Sequence, residues 1–428
     1  MHECADEQVT ASEGLNLASQ SRIETEIALC RNQNNGCLTT TILLGNTEFT
    51  VAVDTTMDIT WVTQKDMAVF VWYCDYAKEV MAQISERSGK PRSNGPKRLC
   101  GNSIDAFGSV PSYVPRPQDM ITNCVGWRYN SVDSLVSYNL YNAASLKFSA
   151  DVALTDICYG AAKELTVHIS ESRSKSHPAG ALGLADREDE PLNFLNCLRK
   201  RKLLSINVFA VKLDPDGKMD RLSLGKTMPR FANCKPLIVP VKIRKGESVH
   251  RWCFKADIAV TVTDHIYERR RSVGCGMSQY RGPIKTHQLG HRYVTIDTAC
   301  PCVKIPSTDM ARLKIPLSHW KASISENEKQ KIQADLKGEQ FIEMKMAVHV
   351  VPKHQEGSTI RRVLEIPEER LVRERQNCAH WLPYFRVEPS PAPNEVVLGW
   401  PFLEIYYTEF HFTSLADRKL IAYETRTK

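Results

Sequence analysis

No apolar run in this chain is long enough to span a bilayer, and its first residues, Met1-His2-Glu3-Cys4-Ala5-Asp6, carry no apolar signal region. No Asn-x-Ser/Thr sequon occurs anywhere in the 428 residues. The first absence excludes a membrane-spanning helix; the other two leave two expectations, a true start further upstream or a protein that has left the secretory route. Nucleotide and metal signatures are missing too. Gly225-Lys226-Thr227 would need a glycine at Asp220 to complete a phosphate loop. His287 and His291 lack the intervening Glu of a zinc peptidase, and Cys300-Pro301-Cys302 has no second cysteine pair at finger spacing. Neither cofactor nor metal is expected. The basic runs Arg199-Lys200-Arg201-Lys202 and Arg269-Arg270-Arg271 feed a net charge of +7, but no aromatic-basic module accompanies them. They read as solvated surface, and no nucleic-acid partner is expected.

Helical signals are also few. Ser307-Thr308-Asp309 after Pro306 predicts a capped helix through Leu313, and Ser325 with Glu328 at capping-box spacing predicts a surface helix or loop over 325–337. Most of the chain instead shows short β-branched or aromatic runs, Thr39 to Leu44, Phe49 to Val53, Ile206 to Val211, Ile258 to Val262 and Met346 to Val351, separated by Gly, Pro, Asn and Asp clusters. The predicted class is mainly β.

Within that pattern the chain repeats itself. Val51-Ala52-Val53-Asp54-Thr55-Thr56 and Val294-Thr295-Ile296-Asp297-Thr298-Ala299 are both β-branched runs ending in Asp-Thr. Each is followed much later by an apolar-apolar-Gly element, Ala181-Leu182-Gly183 and Val397-Leu398-Gly399. A single Val-Asp-Thr in a β-rich chain is usually a strand end with a turn-forming Asp. Two of them, 243 positions apart and each with its Gly element, suit a site in which two carboxylates meet across a pseudo-twofold axis. That spacing leaves each half enough chain for its own core.

Val53-Asp54-Thr55-Thr56-Met57-Asp58-Ile59-Thr60-Trp61-Val62 resembles the first active-site segment of pepsin-like aspartic peptidases of the plant type, which reads Val-Asp-Thr-Gly-Ser-Asp-Leu-Thr-Trp-Val. Further likenesses follow in order. Tyr138 to Ser145 resembles the flap hairpin, Ala179 to Leu184 the Gly element of the first lobe, Ile296 to Ala299 the second active-site segment, and Val396 to Gly399 with Tyr406 to Phe410 the C-terminal element. The resemblance, to the nepenthesin-like and xylanase-inhibitor-like branch, implies a bilobal fold with a central cleft. It divides the chain into an extension (1–36), an N-terminal β lobe (37–205) and a C-terminal β lobe (206–428). It implies a monomeric aspartic endopeptidase acting on a peptide or protein substrate. Asp54 and Asp297 would activate water, Thr55 and Thr298 would brace them across the axis, and Trp61 would support the flap tyrosine, Tyr141. The alternative is a non-catalytic protein on the same scaffold, of the xylanase-inhibitor-like kind, whose partner would be a glycoside hydrolase. Those relatives tend to have lost the aspartates themselves; here both remain.

The chain departs from the family pattern around the two acids. Thr56 and Ala299 stand where the family has Gly, and a β-branched Thr is expected to spoil a tight turn that aims an amide at the carboxylate. Met57 and Cys300 replace the hydroxyl residue that follows. Asn142, Ala143 and Ala144 replace the flap's Gly-Asp-Gly, which predicts a stiffer hairpin. Fourteen cysteines are many for a cytosolic protein, and the resemblance implies disulfides and a secreted or vacuolar location. For Cys300 and Cys302 two expectations stand, disulfides formed elsewhere or buried thiols beside the second aspartate.

Overall fold

The structure, a computed structural model, describes residues 22–32, 37–73, 97–98, 120–123, 127–129, 134–143, 146–149, 152–154, 157–169, 179–187, 193–215, 217–227, 236–242, 251–269, 277–313, 339–350, 362–375, 382–390, 392–414 and 417–425. It is mainly β, with sheets of six, twelve, seven and two strands. The predicted β-branched runs overlap the strands Cys37–Leu44, Thr47–Asp54, Val208–Lys212, Cys253–Arg269 and Glu339–Val350, with Ile206 and Asn207 before the third and Val351 outside the described residues. Sequence pattern understated the length of all but Val208–Lys212. The strand Met277–Ile296 runs through Gly282, Pro283 and Gly290, because a bulge opposite Ile258 and Ala259 takes up the extra residue and Gly290 there adopts φ +74°.

The helix expected after Pro306 is present as Ser307–Leu313, with Asp309 in its first turn held by the Arg292 guanidinium at 2.9 and 3.0 Å. The expected 325–337 element lies outside the described residues.

The six-stranded sheet is assembled from distant parts of the chain. Its order is Thr25–Ala28, Arg221–Leu224, Val208–Lys212, Tyr406–His411, Lys419–Glu424, Leu237–Pro240, all antiparallel. Part of the segment before residue 37 is thus sheet, paired with the middle of the chain. Phe209, Trp252 and Phe410 pack together here, with Phe209 and Phe410 stacked at 4.5 Å and Trp252 edge-on to both. These rings belong to one continuous apolar core that also takes in Val53, Leu182, Ile296 and Leu398 from the strands flanking the two Asp-Thr turns.

Those flanking strands repeat one topology. In the twelve-stranded sheet, Gly180–Gly183 lies parallel to Thr47–Asp54 and antiparallel to the start of Trp61–Tyr73, so it fills the gap between two strands joined by the first turn. In the seven-stranded sheet, Glu395–Leu398 lies parallel to the end of Met277–Ile296 and antiparallel to Val303–Pro306, filling the gap closed by the second turn. A strand paired on both sides while its neighbours bend around its end leaves the connecting turn no room to drift.

Candidate catalytic dyad

Each turn is seated on the glycine that ends its inserted strand. A Cβ at Gly183 would stand 2.7 Å from the Met57 carbonyl oxygen and 2.6 Å from that of Ile59. A Cβ at Gly399 would stand 2.0 Å from the Cys300 carbonyl oxygen and 2.4 Å from that of Cys302. These are the third and fifth residues after Asp54 and after Asp297, so the two contacts are equivalent. Backbone bonds finish the seat: Leu184 N–H donates to the Asp54 carbonyl at 2.8 Å, Ala185 N–H to Met57 at 2.8 Å, Asp297 N–H to Leu398 at 3.0 Å, and Trp400 N–H to Cys300 at 3.0 Å.

Two indoles and a helix cap hold the turns from behind. Trp252 donates its indole N–H to the Leu184 carbonyl at 2.7 Å, and its own carbonyl accepts from Ile296 N–H at 3.0 Å, so one residue touches both glycine-turn units. Trp400 donates to the Thr298 carbonyl at 2.9 Å. Asn193 caps the helix Phe194–Lys200 through Asn196 N–H, and its amide nitrogen donates to the carbonyls of Asp58 and Ala185 at 2.7 and 2.8 Å.

The threonines after the aspartates exchange bonds across the halves. Thr55 N–H donates to Thr298 Oγ1 and Thr298 N–H to Thr55 Oγ1, each at 3.1 Å. The hydroxyls donate onward, Thr55 to the Ile296 carbonyl at 2.8 Å and Thr298 to the Val53 carbonyl at 2.7 Å. Both side chains are fully buried, so every one of these groups is satisfied out of water. This lattice brings Asp54 and Asp297 together. Burial first, and then the negative charge of Asp54, push the Asp297 carboxyl up to about 7, against the opposing pull of Lys304, the Ala299 N–H and Arg251.

The expected damage at the glycine positions is not what the structure shows. Thr56 N–H donates to Asp54 Oδ1 at 2.7 Å and Ala299 N–H to Asp297 Oδ1 at 2.8 Å, so both amides are aimed at their carboxylates. Lys202 alone has positive φ among the described non-glycine residues, so neither turn requires the left-handed region that favours glycine. Thr56 also adds a donor, its hydroxyl reaching the same Asp54 Oδ1 at 2.7 Å. Met57 is buried and serves through its carbonyl. The Cys300 thiol donates to the Cys302 carbonyl at 3.2 Å, and the two sulfurs are 3.5 Å apart, well beyond an S–S bond of about 2.05 Å. They are buried thiols, and no cysteine pair among the described residues is at bonding distance. Cys302 is held well above the usual thiol range by its bond with Cys300 and by burial.

Trp61 is buried at the start of the strand leaving the first turn. Tyr141 lies in the strand Ser134–Ala143, opposite Tyr159 of Ile157–Ile169; the placement of its side chain lies outside the described residues. The expected flap hairpin is not formed by the flanking strands among the described residues: Ser134–Ala143 pairs with Ile157–Ile169, Met120–Asn123 and Trp127–Tyr129, whereas Leu146–Ser149 pairs with Cys37–Leu44 and Val152–Leu154.

Sequence reading missed the Thr56 hydroxyl, the Trp252 and Trp400 indoles, and the cations Lys304 and Arg251 that act on Asp297. Lys304 loses solvation in its half-buried position, yet the negative groups around it, Asp297 and Glu388 among them, raise its ammonium above its ordinary range. Only Thr56, inside the first Asp-Thr turn, and Trp400, directly after the second Gly element, sit where a sequence signal could have pointed. Among the described residues no group of three His, Cys, Asp or Glu could hold a metal ion, and no helix is long and apolar enough to cross a membrane. Neither a protein-family model nor a curated protein matches the chain.

Proposed function

We propose that this chain is a bilobal, pepsin-like aspartic endopeptidase of the plant type, with Asp54 and Asp297 as its catalytic dyad and a peptide or protein as its substrate. The observation that carries this reading is the reciprocal Thr55–Thr298 exchange, which sets two carboxylates on facing turns with a backbone amide donating to each. Two carboxylates so placed cannot both ionise readily, so the pair retains one proton. The ionised member takes a proton from a shared water as that water attacks the scissile carbonyl, and the protonated member donates to the carbonyl oxygen. Collapse of the tetrahedral species returns a proton to the leaving amine and frees the dyad for the next turnover.

The test is acid proteolysis of an unfolded protein substrate by the full chain, with Asp54→Asn and Asp297→Asn as controls. Cleavage confined to acid, blocked by a statine-type inhibitor and lost in both variants is the expected result. Cleavage that survives either substitution would come from another site. The strand pairing around Tyr141, which forms no flap hairpin among the described residues, favours a second reading, a non-catalytic binding protein with a glycoside hydrolase as partner. That reading takes over if the chain neither cleaves nor binds the statine-type inhibitor at any pH and does inhibit a xylanase.

A further inference from the structure

The two turns match in backbone but not in donors. Asp54 Oδ1 accepts from the Thr56 amide and from the Thr56 hydroxyl, both at 2.7 Å, whereas Asp297 Oδ1 accepts from the Ala299 amide, and an alanine side chain offers no second donor. The neighbouring positions do not redress the balance. Met57 has no hydroxyl, and the Cys300 thiol is turned to the Cys302 carbonyl. We propose that Thr56 is a positioning residue that breaks the symmetry of the dyad: its hydroxyl holds Asp54 as the ionised member and leaves the shared proton on Asp297.

The physical reason is that a hydrogen bond donated to a carboxylate stabilises its charged form and does little for the protonated one. The charges that act on Asp297 do not reverse this. On the Asp297 side, Lys304 and Arg251 favour ionisation, yet burial and Asp54 outweigh them. On the Asp54 side, Asp58 is ion-paired with Arg187 at 3.2 Å. The inference rests on the peptidase reading for its catalytic meaning, and on the hydrogen-bond geometry for the ionisation.

Thr56→Val keeps the amide, the β-branch and nearly the volume, and removes the hydroxyl proton. Thr56→Ser keeps the donor. In Thr56→Val the acid limb of the kcat/KM profile should move up by about one pH unit, as loss of one charge-assisted hydrogen bond predicts, with kcat falling and KM little changed. Thr56→Ser should restore both, and Thr56→Gly should resemble Thr56→Val. The parallel readout is infrared titration of the buried carboxyls in the intact chain, where the lower of the pair's two apparent pKa values should rise in Thr56→Val and return in Thr56→Ser. A folded Thr56→Val whose titration is unchanged, or a Thr56→Ser that behaves like Thr56→Val, overturns the proposal. If the carboxyl titration shifts as expected in a chain that cleaves nothing, the positioning role of Thr56 holds and the peptidase reading fails.

Discussion

A carboxyl that keeps its proton up to about 7 makes folding depend on pH in an unusual direction. Unfolded, Asp297 would lose its proton near 4. Between those values the folded chain binds more protons than the unfolded one, so its contribution to stability is complete below about 4 and is lost as pH rises towards about 7. Asp297→Asn should therefore flatten the fall in denaturation midpoint across that window, measured in buffers of constant ionic strength; an unchanged slope would mean that the shared proton is not on this carboxyl. At this scale the aspartates and their threonines were legible, because a turn after a β-branched run has a local sequence signature. The role of position 56 was not. A threonine there has less backbone freedom than a glycine, but the turn does not use that freedom, and the hydroxyl faces the carboxylate.

Among the elements, the inserted strands and their terminal glycines carry the constraint. Gly399 admits no side chain, since a Cβ would stand 2.0 Å from the Cys300 carbonyl oxygen, and that backbone is tied to Trp400. Gly399→Ala should cost about 3 kcal/mol of stability, at the upper end for overpacking because the backbone cannot shift, and displace Asp297, which on the proposed function also lowers activity. Gly183→Ala should do the same to the first turn, where the close atoms are the Met57 and Ile59 carbonyl oxygens. Gly45→Ala is the control: nothing lies within 4 Å of a Cβ there, although its φ of +60° brings a small strain of its own. Thermal unfolding of the three variants should rank Gly45→Ala well above the other two. Equal losses would show that the turns give way to a methyl group at Gly183 and Gly399, which are not left-handed, and that contact with the turns is not the constraint there.

Over the whole molecule, a buried ion network joins remote parts of the chain to the second turn. Arg31, near the start of the described residues, pairs with Asp220 at 2.6 Å and with Glu404, while Glu404 also pairs with Arg386 at 2.8 Å. The Arg31 guanidinium lies over the Trp400 ring at 5.6 Å, and that indole holds the Thr298 carbonyl. Removing one member strands buried charge, so Glu404→Gln should destabilise the protein by about 3–5 kcal/mol in denaturant titrations. A loss below about 1 kcal/mol would show that water reaches the site. None of this could be read in advance, because Arg31 and Glu404 are 373 positions apart and neither has a local pattern. What the sequence alone determined was the mainly β class and the twin Asp-Thr and Gly elements, since alternation, turn chemistry and repetition are properties of neighbouring residues. Only the tertiary structure decided which donors reach each carboxylate, where the Cys300 thiol turns and what anchors the turns, because those depend on distances between segments that the chain order does not set.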